Sequence, residues 1–236
     1  MHRRLSLLVI AMIIAVAAPP THGDTPANAE DARAAYDEAQ ALKRSNRFNE
    51  SREAFQRAAE LSGPGTSNWA ALAGDELRYG LPLHEAGTLS MQLTQIKDFP
   101  GRHQALERIE TIYQALLTNN SDKPERIAEI ERRRDQLALT RQAVGTVERL
   151  STTAHLEQLR QRVEMHYAQQ GRWPDRRLLE QELTQALRDA GQAPDRMTIV
   201  NYFPSREMFY AVIRDKQGGP DIKLKGDGNG VRLERL

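Results

Sequence analysis

Apolar positions recur at helical spacing over most of the chain and give way to strand-like alternation near its end. Tyr36, Ala39 and Leu42 share one face of a segment from Asp31 to Arg44, and Asn46 and Asn49 then break and recap the chain. Ala54, Phe55, Ala58 and Leu61 form a second stripe, stopped by Gly63-Pro64-Gly65, which predicts two short antiparallel helices over 31–62. Gly101 to Leu117 reads as another amphipathic helix through Ala105, Ile109, Ile112, Tyr113 and Leu116. Pro124 opens a highly charged helix with Ile127, Ile130 and Leu137, and Gly145 marks an expected break before the next one. From Thr152, Leu156, Leu159, Val163 and Tyr167 make a further stripe ended by Gly171; Leu178, Leu179, Leu183 and Leu187 predict a short helix stopped near Gly191. Thr198–Phe203 and Met208–Arg214 then read as strands, with shorter ones at Ile222–Leu224 and Val231–Leu233 around Gly226-Asp227-Gly228-Asn229-Gly230.

The N-terminus carries an address. His2, Arg3 and Arg4 precede an apolar run from Leu5 to Ala18, interrupted only by Ser6 and ended by Pro19-Pro20. Fourteen helical residues span about 21 Å, too little for a hydrocarbon core of about 30 Å. An exported chain with a signal peptide over 1–23 is expected, its end lying between 17 and 29 because Ala15-Val16-Ala17 and Ala27-Asn28-Ala29 both offer small-residue sites. An uncleaved inner-membrane anchor is the alternative. A linker over 24–30 follows.

Two family resemblances bear on the rest. Ala39-x2-Leu42, Ser51-x3-Phe55, Ala58 and Pro64 together resemble one tetratricopeptide repeat. A shift of 34 places Ala73 on Ala39, within Trp69-x2-Leu72-Ala73, which fits the first half of a second repeat. Its second half is degenerate, with Glu85 in place of a small residue and only Leu89 keeping its apolar character. The resemblance covers about 31–97 and implies helical hairpins with a concave partner-binding groove, for which Tyr36, Trp69 and Tyr79 are candidate anchors. Those aromatics serve equally as core, Trp69 above all, since its place in the repeat packs between helices.

Further on, Leu156-x2-Leu159, Tyr167 and Gly171-Arg172-Trp173-Pro174 resemble the helix end and loop of type IV pilin-like proteins, in particular the major pseudopilin of type II secretion. Phe209-Tyr210-Ala211-Val212 followed by Gly219-Pro220-Asp221 is similar to the end of that head, so this resemblance covers about 152–230. The family's prepilin-peptidase site, a Gly ahead of a long apolar helix with a Glu near its start, has no counterpart: Gly23 is followed by Asp24. A borrowed head module is therefore implied, and not a filament subunit. Major pseudopilins bind calcium in their last loop, where Asp221, Asp227 and Asn229 are the oxygen donors here; Gly-rich turns also use Asp and Asn for backbone reasons. No other cofactor is implied.

These readings combine into an α+β fold, mainly α: tetratricopeptide-like helical hairpins over 31–150, then a pilin-like head over 151–236 in which a long helix packs on a small antiparallel sheet. Composition narrows the function. Lys+Arg number 33 and Asp+Glu 32, and removal of residues 1–23 takes away Arg3 and Arg4, leaving a formal charge of −1. That balance argues against a nucleic-acid binder. With no Cys there is no disulfide, thiol nucleophile or Cys-based metal site. The Arg132-Arg133-Arg134 run sits among enough acidic residues to read as a solvated face. His84, His103, His155 and His166 form no metal or triad spacing, so surface or packed histidines are expected. The expectation is a periplasmic, non-enzymatic interaction or scaffold protein whose partners are envelope proteins, an accessory factor of a type II secretion or pilus-like assembly. The alternatives are a cell-envelope enzyme using scattered groups such as Asp75, His84 and Glu85, and a periplasmic chaperone.

Overall fold

The computed structural model describes residues 26–62 and 68–236, and the segments read as a signal peptide and as the Gly63-Pro64-Gly65 stop lie outside them. Helix α1 (Pro26–Arg44) and helix α2 (Phe48–Leu61) form an antiparallel hairpin. Asn46 turns the corner in the left-handed conformation, φ 60°. Ala32, Ala35, Ala39, Ala54 and Ala58 let the two backbones approach, and Phe55 between them is fully buried, a burial that stabilises by about 2–3 kcal/mol. The Ser51 hydroxyl closes the contact by donating to the Ala39 carbonyl, 2.9 Å away. Because α1 begins at Pro26, the segment expected to be a linker over 24–30 is helical from that residue onward.

Next comes α3 (Trp69–Asp75), a π-helical turn over Glu76–Gly80, and α4 (Leu81–Gln92), which together run without a break. The second tetratricopeptide-like stretch is thus one helical run and not a helix–turn–helix. Pro82 gives the physical reason. A proline inside an α-helix clashes with the carbonyl four residues earlier, and the wider π turn, in which the Leu81 N–H donates to the Glu76 carbonyl, takes up that clash.

Helix α5 (Phe99–Asn119) starts on Asp98, whose carboxylate accepts from the Gly101 N–H at 2.7 Å. It buries Leu106, Ile109, Tyr113 and Leu116 against Ala86 of α4 and against Ile130 and Leu137 of α6. Helix α6 (Pro124–Gln170) is one 47-residue helix. The break expected at Gly145 is absent: Leu137, Glu148, Thr152 and Leu156 continue a single buried side past it, so packing on both sides of the glycine outweighs a propensity loss of about 1 kcal/mol. Gly171, with φ 64°, ends the helix.

In the C-terminal part, α7 (Arg176–Asp189) is capped by Asp175, and an antiparallel meander follows: β1 (Met197–Pro204), β2 (Phe209–Asp215), β3 (Ile222–Asp227) and β4 (Gly230–Arg235), in that order across the sheet. Register pairs Ile213 with Ile222 and Leu224 with Leu233, and β1 carries an irregularity between Ile199 and Asn201. One sheet face, with Ile199, Phe209, Ala211, Ile213, Leu224 and Val231, packs against Leu156, Leu159 and Val163 of α6 and Leu179, Leu183 and Leu187 of α7. Trp173 stacks on Tyr167 with centroids 3.8 Å apart and leans on Phe209 at 4.9 Å. Gly226 lies beneath both rings; a Cβ there would stand 2.6 Å from each, so only glycine fits. The protein is thus α+β and mainly α, with a long helix across a small antiparallel sheet. Among the described residues no helix is long and apolar enough to cross a membrane.

Candidate functional site

The expected anchors take up packing positions. Tyr36 sits 5.4 Å from both Phe55 and Trp69, centroid to centroid, so Tyr36 and Trp69 come together, half-buried, over the first hairpin's core. Tyr79 lies apart from them, with the Arg126 guanidinium 4.2 Å above its ring. The expected calcium donors do not converge. Asp221 precedes β3 and Asp227 ends it, roughly 20 Å apart at strand rise. Arg214 binds the Asp221 carboxylate, and Arg232 and Lys225 bind that of Asp227, which also accepts the Asn229 N–H at 2.9 Å. Arg214 and this turn hold both carboxyls below their usual range. The Asx turn at Asp227–Asn229 accounts for those residues through the backbone. No group of three or more His, Cys, Asp or Glu with metal-binding geometry occurs among the described residues.

The groups considered for catalysis are likewise engaged. Glu85, its side chain 7 % exposed, is held between Arg108 at 2.6 Å and Arg52 at 3.3 Å, joining α2, α4 and α5. This explains a charged residue where the repeat pattern has a small one. Asp75 is gripped by Arg126 and Lys123, chiefly through the Arg126 hydrogen bonds, which bring its carboxyl down to about 2. His84 faces Phe48 with ring centroids 5.9 Å apart, and its Nε2 is buried without a hydrogen-bond partner among the described residues. His103 bonds Glu148 at 2.7 Å, and the His155 Nδ1–H donates to the Ser151 carbonyl at 2.8 Å. His166 is half-buried on α6.

An open groove of about 490 Å³ runs along α4 and the end of the π turn. Its floor is Gly80, Leu83, His84, Gly87 and Met91, which fall on one helix face at intervals of three, one, three and four residues. Gly87 leaves the floor low, since nothing lies within 4 Å of where its Cβ would be. Lys43, at the end of α1, and Arg133 on α6 form the walls. Lys43 is fixed by Glu76 at 2.6 Å, and Arg133 by Glu129 at 2.6 Å. Beyond Gly87 and Arg133 the depression continues for about 320 Å³ past Ser90, Gln136 and Thr140. None of Tyr36, Trp69 and Tyr79 lines it. An apolar floor between pre-positioned cations suits an extended segment with apolar and acidic side chains.

A second construction joins the two halves of the chain. Arg196, 10 % exposed, bonds Glu148 of α6, Asp215 at the end of β2 at 3.1 Å, and the Gln192 side-chain Oε1 at 2.6 Å. Gln192 donates in turn to Thr152 at 3.1 Å, and His103 of α5 binds the other oxygen of Glu148. Helices α5 and α6, the loop after α7 and strand β2 thus meet through one polar network that satisfies each buried charge. Neither groove nor network has a local sequence signature.

No family model matches the chain, and no curated protein or solved structure is similar enough to count as a match. The likenesses to tetratricopeptide repeats and to pilin-like heads rest on the residues quoted for them, and helices with a four-stranded meander are specific to neither.

Proposed function

We propose that the protein is a periplasmic, non-enzymatic interaction protein. Its helical part holds an extended segment of an envelope partner in the α4 groove, and its C-terminal head fixes the orientation in which that partner is presented. The single observation that carries this reading is the groove itself: a glycine-lowered apolar floor between two cations already held in place by Glu76 and Glu129. Ordering long side chains on binding costs about 0.5–1.5 kcal/mol each, and Lys43 and Arg133 are spared much of it. The basic-apolar N-terminus supports export, and the pilin-like stretch supports a partner of the type II secretion or pilus class.

A photo-crosslinking residue at Met91, on the exposed floor, tests this in cells. Capture of one secretion- or pilus-class envelope protein is expected, and Gly87→Arg, which fills the groove from a position where a Cβ meets nothing within 4 Å, should abolish it. Equal capture by Gly87→Arg, or no envelope partner above background, sinks the proposal.

A further inference from the structure

Leu139, Ala143, Val147, Leu150 and Ala154 follow one another along α6 at steps of four, four, three and four. At 3.6 residues per turn they make a single stripe. It lies on the side of the helix turned away from Ile130, Leu137, Glu148, Leu159 and Val163, which face the two cores. Leu139 is 68 %, Val147 52 % and Leu150 67 % exposed, and both alanines are open. The stretch is also poor in charge. Arg141, Glu148 and Arg149 are its only Asp, Glu, Lys or Arg between Gln136 and Leu156, and none falls in the stripe, whereas eight of the eleven residues from Glu125 to Asp135 are charged. A helix face left to water in this chain is charged; this one is apolar.

We propose that the stripe is the contact between two copies of the chain, with their α6 helices packed antiparallel about a twofold axis between Thr146 and Val147. Self-complementarity selects this occupant. Reversal about that point brings Leu139 level with Ala154 and Ala143 level with Leu150, so each large side chain meets a small one, and Thr146 meets Val147 at the axis. A parallel pairing would set leucine on leucine and alanine on alanine. Both cores hang from the opposite side of α6, so no described element stands between the copies. The stripe extends about 22 Å along the helix. Two of them bury on the order of 1,000 Å², the lower end for a specific interface, which corresponds to association in the micromolar range. This inference is independent of the groove.

The absence of Cys makes the geometry directly readable. The full chain at about 100 μM should sediment at twice its monomer mass. Leu150→Glu should return it to monomer with unchanged circular dichroism, since that side chain touches neither core. Val147→Cys, next to the axis, should oxidise to a covalent dimer; Leu139→Cys alone should not, and Leu139→Cys combined with Ala154→Cys should. A monomer at that concentration overturns the proposal, as it would if another segment of the chain covered the stripe. A dimer indifferent to Leu150→Glu, or a crosslink through Leu139→Cys alone, overturns it equally.

Discussion

The Phe99 backbone N–H donates to the Gly191 carbonyl over 2.9 Å, tying the first residue of α5 to the loop that follows α7. Gly191 has φ +72°, and a Cβ on it would stand 3.3 Å from the Lys97 carbonyl oxygen and 3.6 Å from the Phe99 ring. Both its conformation and its crowding demand glycine. Gly191→Val should destabilise by about 2–3 kcal/mol. Gly218→Val, also at positive φ but with nothing within 4 Å, should cost about 1–2 kcal/mol, conformation alone. Urea unfolding of the two variants separates them, and equal losses would remove the role of the close approach.

Arg196 answers two buried carboxylates at once. Arg196→Met should cost about 3–5 kcal/mol, because Glu148 and Asp215 are then left buried with their main partner gone. Arg196→Lys should recover less than half of that, since one ammonium cannot reproduce a fork that reaches both carboxylates and Gln192. Chemical denaturation at pH 7 measures both.

Gly145→Ala should stabilise by about 0.5–1 kcal/mol, the helix propensity gained where a Cβ meets nothing within 4 Å. Differential scanning calorimetry should register the rise. A fall would mean that the helix needs its glycine.

Asp75 makes part of the acid sensitivity. Its carboxyl, at about 2 in the folded chain, lies below the unfolded value of 3.8. The folded state therefore gains stability from its ionised form above pH 4 and loses it as the pH falls toward 2. With the side chain 39 % exposed, solvent screening keeps the contribution at or below about 1 kcal/mol. Asp75→Asn should lower stability at pH 6 and leave it nearly unchanged at pH 2, read from unfolding midpoints across that range.

Much of the architecture was legible because it is written locally. Phe209, Ala211 and Ile213 alternate along β2, glycines mark the turns, and the alanines of the first hairpin announce a close helix pair. What escaped depends on neighbours distant in sequence. Gly145 reads as a break until the cores on both sides of it are known. The groove takes its walls from residues 43 and 133 and the polar network its members from 103, 148, 196 and 215, spacings to which no local periodicity responds. Of the aromatics proposed as anchors, Tyr36 and Trp69 pack on each other, because a half-buried ring serves a small hairpin's core as readily as a partner.

Helix α6, at about 70 Å by helical rise, belongs to both cores without interruption. A boundary drawn at residue 150 falls in mid-helix, one turn or less from Glu148 and Thr152, which bind the loop after α7. Neither half can come loose without fraying the rod that carries the other. The chain should therefore melt as one unit, with the groove and the sheet joined by a single rod.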